Sequence, residues 1–80
     1  MTNSEMLKQF IAKSGLKYKF IAQKLKLSYY GLQKKIDGKH EFKASEISTL
    51  CSLLRIETAK ERDSIFFALD DDFKSTKERG

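Results

Sequence analysis

Apolar residues recur at helical spacing in five stretches of this chain, and the short polar interruptions between them carry helix start and stop signals. Thr2 and Glu5 stand at the spacing of a capping box, and Met6, Leu7, Phe10 and Ile11 follow on one face. This predicts a first helix from about residue 3 to residue 14. Gly15 can take the left-handed conformation that ends a helix, and Leu16 can fold back over the last turn. From Lys17 to Leu25 the inward set is Phe20 or Ile21, with Ala22 and Leu25, a stripe fit for a helix of barely two turns. After Lys26 and Leu27, Ser28 is a good N-cap. Leu32 and Ile36 then form the inward face of a third helix, closed by Asp37 and Gly38. That helix leaves Tyr29, Tyr30, Gln33 and Lys34 pointing outward.

The loop Lys39-His40-Glu41-Phe42-Lys43 leads into the most regular pattern in the chain, with Ala44, Ile47, Leu50, Cys51 and Leu54 as the core stripe of a fourth helix and Ile56 after it. Thr58 and Glu61 repeat the capping-box spacing, and Ala59, Ile65, Phe66 and Leu69 predict a fifth helix. Connections of two to about six residues favour a bundle with one core. The expected fold is therefore all-α, with one domain over residues 1–69 and a polar, frayed tail over residues 70–80.

Composition supports helix throughout, since the chain has no proline and only four glycines. One cysteine and one histidine preclude an internal disulfide and leave too few ligands for a structural zinc site. No apolar run reaches the roughly 20 residues of a membrane span, and the polar start lacks the hydrophobic stretch of a signal peptide. A cytoplasmic protein with no membrane partner is expected. The net charge of +5 implies an anionic partner, and its distribution says where that partner sits. Residues 1–56 carry eleven Lys or Arg against four carboxylates, whereas residues 57–80 carry five against seven. The alternative, lysines that only solvate a surface, is weighed by the order of the residues.

Residues 16–39, LKYKFIAQKLKLSYYGLQKKIDGK, resemble the helix-turn-helix of the lambda repressor and Cro family, also called the XRE family, of phage and bacterial regulators. Ala22 is the small residue needed where two helices meet steeply, Leu27 can plug the turn, and Leu32 and Ile36 anchor the second helix. The resemblance extends over roughly residues 5–56. It departs at Lys26, where the family usually has a left-handed glycine, and at Gly31, inside the recognition helix. Gly31 costs about 1 kcal/mol relative to alanine, which fits a close approach to a sugar or a thymine methyl.

The resemblance implies a lambda-repressor-like five-helix domain that binds double-stranded DNA with its third helix in the major groove and acts as a transcriptional regulator of phage or mobile-element type. Carried over by position, Ser28, Tyr29, Tyr30, Gln33 and Lys34 are the candidates for base edges. Lys34 suits guanine O6 or N7, Gln33 suits adenine, and the tyrosines suit thymine methyls or phosphates. Lys17 and Tyr18, at the start of the second helix, and Lys39 and Lys43, on the opposite side, are the phosphate candidates. Cro-type regulators bind as two-fold dimers, so Phe66, Phe67 and Phe73 are the dimer-interface candidates, against a reading in which these rings are core. No cofactor and no small-molecule ligand are implied. His40 has no nucleophile to pair with, Cys51 reads as an inert core residue, and Asp70-Asp71-Asp72 lack metal-loop spacing. An enzyme is not expected, for lack of an acid-base pair or a phosphate loop. The rival reading is a protein-binding module of the same fold, antitoxin-like or antirepressor-like.

Overall fold

The computed structural model describes residues 1–68, so Leu69, Phe73 and the tail over residues 70–80 lie outside the described residues. Five helices follow one another: α1 (Ser4–Ser14), α2 (Tyr18–Leu25), α3 (Tyr29–Ile36), α4 (Ala44–Leu54) and α5 (Ala59–Phe66), with no strand among the described residues. Leu7, Ile21, Leu32, Ile36, Leu50 and Ile65 are the largest fully buried side chains, and together they draw on every helix. The core is therefore a single unit, and each short helix gains its stability from burial on the others rather than from its own propensity.

The helix pairs in substantial contact are α2 with α3 and α4, and α1 with α3, α4 and α5. Of the pairs adjacent in sequence, only α2 with α3 is among these; α1 with α2, α3 with α4 and α4 with α5 are not.

Stop signals are built from backbone turns. Gly15 and Gly38 take positive φ, and so do Lys26 (φ 60°) and Arg55 (φ 59°). At Lys26, Leu27 N–H donates to the Ala22 carbonyl and Lys26 N–H to that of Gln23, which satisfies two of the carbonyls in the last turn of α2. Leu27 packs against the core as the expected plug. The left-handed conformation is costly for lysine, and it is held because these bonds and the Leu27 contact form together.

Several expectations are corrected. Asn3, not Thr2, caps α1: its Oδ1 accepts from Met6 N–H at 3.1 Å. The cause lies far away in sequence. Asn3 N–H donates to the Ile65 carbonyl and Ala68 N–H to that of Met1, so the first residues lie along the end of α5 and Thr2 is buried. Ala44 and Ala59, expected in the core, open their helices and are exposed. Phe42 stands in the loop between α3 and α4, as expected, but its side chain is buried, with its ring edge-on to that of Phe66 at 5.6 Å. Cys51 is only half-buried. Of Phe20 and Ile21, Ile21 takes the core position, while Phe20 stays exposed beneath the Lys24 ammonium, 5.4 Å from the ring centroid.

Candidate nucleic-acid interface

Leu32 and Ile36 fix one face of α3 in the core, so the 100° step of the helix presents its other residues outward. Tyr29 is 54% exposed and Tyr30 69% exposed, and each is paired with the residue one turn on. Gln33 Nε2 donates to Tyr29 Oη at 3.2 Å, and Lys34 Nζ lies 5.0 Å from the Tyr30 ring centroid. The Tyr18 ring at the start of α2 stands 6.2 Å from that of Tyr29, which supports the latter from the side. The result is a protruding face that offers two phenol groups, an amide and an ammonium, each braced by a neighbour.

Ser28 is exposed, but its Oγ accepts from Gly31 N–H at 2.9 Å, so its first task is to cap α3, and only its hydroxyl proton is left to donate outward. A methyl group at Gly31 would meet Ser28 Oγ at 3.1 Å. The tight cap is thus a local reason for glycine, alongside the expected approach of a ligand.

Two helix starts flank this face. Lys17 is the N-cap of α2 and no side chain caps it. Ile21 N–H is the first to find a carbonyl, that of Lys17, which leaves the first-turn N–H groups beside Tyr18 for an outside acceptor. Lys43 is the N-cap of α4, and its own N–H is taken by Glu46 Oε1 at 2.8 Å. Lysine has no acceptor in its side chain, so only the Glu46 half of a capping box exists here. Lys17, Lys39 and Lys43 are exposed, and none of them has an ion-pair partner among the described residues. Positive helix ends beside free ammonium groups suit bound anions.

Sequence reasoning missed the Lys35–Glu46 ion pair, 2.7 Å long and nearly buried, with side chains 14% and 8% exposed. Burial pushes the Glu46 carboxyl up, but the Lys35 ammonium and the Lys43 N–H outweigh it and hold the group below its usual value of 4.5. The exposed Lys8–Asp37 pair, 3.5 Å, ties α1 to the end of α3 and was also missed. Neither pair has a local signal, since the partners are far apart in sequence.

The dimer candidates separate. Phe66 is 2% exposed and belongs to the core, contrary to its place among the interface candidates; Phe67 is 54% exposed. Phe73 lies outside the described residues. Phe67 borders a groove of about 850 Å³ between α4 and α5, floored by Ile47, Cys51 and Ile56 and rimmed by Arg55 and Arg62. Burial pushes the Cys51 thiol up, partly offset by Arg62, so the thiolate is scarce at neutral pH. His40 is exposed, and no group of three metal-ligating side chains occurs among the described residues. No helix among them is long and apolar enough to cross a membrane.

No family model, curated protein or solved structure matches this chain.

Proposed function

We propose that this chain is a sequence-specific, double-stranded-DNA-binding transcriptional regulator of the lambda repressor and Cro type, with α2 and α3 as its helix-turn-helix and α3 entering the major groove. The observation that carries the reading is α3 itself. A helix locked by Leu32 and Ile36 extends Tyr29 and Tyr30 into solvent, with the half-exposed Gln33 and Lys34 one turn on, between two helix starts whose lysines have no ion-pair partner among the described residues. Such a layout separates two tasks: α3 reads base edges, while Lys17, Lys39, Lys43 and the open N–H groups beside Tyr18 grip phosphates.

The same reading expects two copies on one operator, with half-site centres about one helical turn, 34 to 36 Å, apart. Phe67 and the α4–α5 groove are the proposed contact between copies, because an exposed ring beside a groove of mixed lining, with Ile47 and Ile56 among its residues, gains from burial. That surface also supports the rival reading, in which the groove binds a different protein, as an antitoxin or antirepressor would.

Selection of bound duplexes from a random pool tests the proposal. A two-fold symmetric consensus, with affinity that falls steeply as salt rises, is the expected result. Failure to enrich any sequence, together with a salt-tolerant protein complex abolished by Phe67→Glu, would replace DNA by a protein partner.

A further inference from the structure

The helix proposed to read bases and the helix start proposed to grip phosphate are joined by one oxygen atom. Glu46 Oε1 accepts from Lys35 Nζ on α3 at 2.7 Å and from the Lys43 N–H at the start of α4 at 2.8 Å. The two helices otherwise lean on α1 and α2 and are not in substantial contact with each other. Both side chains of the pair are nearly buried. A buried ion pair of this kind contributes little net stability compared with apolar residues of the same volume, so stability alone is a poor reason for it. Its geometric effect is larger, because two short bonds to a single atom fix the spacing of the elements that carry them.

We infer that Lys35 and Glu46 are positioning residues that hold the reading face of α3 in register with the phosphate grip at Lys43, and so set sequence discrimination without touching DNA. The inference rests on the DNA-binding reading. With the pair intact, a phosphate held at the start of α4 brings Tyr30 and Lys34 to one fixed height in the groove. With the pair cut, α3 is still anchored by Leu32 and Ile36 but loses its tie to that grip, and base contacts that require close alignment weaken first. Contacts to phosphate from long, exposed lysine side chains tolerate the change.

The test compares binding of the selected operator and of a random duplex by the full chain, in wild type, Lys35→Met and Lys35→Arg. Lys35→Met should lower the operator-to-random affinity ratio about tenfold, the scale on which one aligned base contact discriminates. Its affinity for random duplex should stay within about threefold of wild type, since Lys35 is not a phosphate contact. Lys35→Arg, which keeps the charge, should restore the ratio. A merely structural role would not move this ratio, because a partly unfolded population scales both affinities alike. A folded Lys35→Met chain with the wild-type ratio overturns the inference. If Lys35→Met is unfolded at the assay temperature, Glu46→Gln decides instead: its amide oxygen keeps both bonds but loses the charge that strengthens them, so a smaller loss of the ratio is expected, and a folded Glu46→Gln chain with the wild-type ratio overturns the inference. A wild-type chain that binds all duplexes alike refutes the DNA-binding reading and this inference with it. A wild-type preference that the variants share refutes the inference alone.

Discussion

Two adjacent phenylalanines at the end of α5 offer a controlled comparison, since they have the same chemistry and neighbouring backbone positions but opposite environments. Phe66 is 2% exposed and packs edge-on against Phe42, whereas Phe67 is 54% exposed at the rim of the groove. A phenylalanine of about 200 Å² that is fully removed from water contributes about 5 kcal/mol at 25 cal/mol per Å², of which alanine retains a part. Phe66→Ala should therefore cost about 3 to 5 kcal/mol, including the aromatic contact and the cavity left behind. Phe67→Ala forfeits less than half of that area and leaves no enclosed void, so about 1 kcal/mol is expected. A domain of this size has only a few kcal/mol of total stability, so the first substitution should bring the chain to the edge of unfolding in buffer. Equilibrium unfolding in urea, followed by far-UV circular dichroism, reads both. With a slope near 1 kcal/mol/M, the midpoint should fall by about 3 M or more for Phe66→Ala and by about 1 M for Phe67→Ala. Equal losses, or a larger loss at Phe67, would refute the assignment of core and surface and remove Phe67 as a contact between copies.

Tyr29→Ala, Tyr30→Ala and Lys34→Ala should each weaken operator binding by about 1 to 3 kcal/mol with helical content unchanged, as measured by fluorescence anisotropy and circular dichroism. Unchanged affinity in all three would remove α3 as the reader. Lys17→Ala, Lys39→Ala and Lys43→Ala should weaken operator and random duplexes alike and flatten the salt dependence by about one unit each. A loss confined to one sequence would reassign that lysine to base reading. Glu46 has a folded-state pKa below its ordinary 4.5, so its contribution to stability is complete above that value and disappears as pH falls through the lower, folded-state value. Glu46→Gln should accordingly flatten the acid limb of a stability-against-pH curve measured by urea unfolding. An acid limb identical to that of wild type would show that the carboxylate is not held by Lys35 and the Lys43 N–H.

Local spacing and start and stop signals determined the five helices, most of their inward faces, the stops at Gly15 and Gly38, the Ser28 cap and the outward placing of Tyr29 and Tyr30, with Gln33 and Lys34 half-exposed beside them. These features depend on residues within one or two turns of each other, and helical geometry converts such spacing directly into direction. The features it could not determine depend on partners remote in the chain. Asn3 replaced Thr2 as the α1 cap because Asn3 N–H bonds to the Ile65 carbonyl, a contact across more than sixty residues. Phe42 stays in its loop but turns its side chain into the core, edge-on to the buried Phe66, a contact between residues with no local spacing in common. Lys35 and Glu46 read as ordinary charged residues until folding brought α3 and the start of α4 to either side of one carboxylate oxygen. Local pattern fixes which way a side chain points from its own helix. Only the packing of helices decides what it meets there, because that depends on the summed burial of the whole core and not on any one stretch.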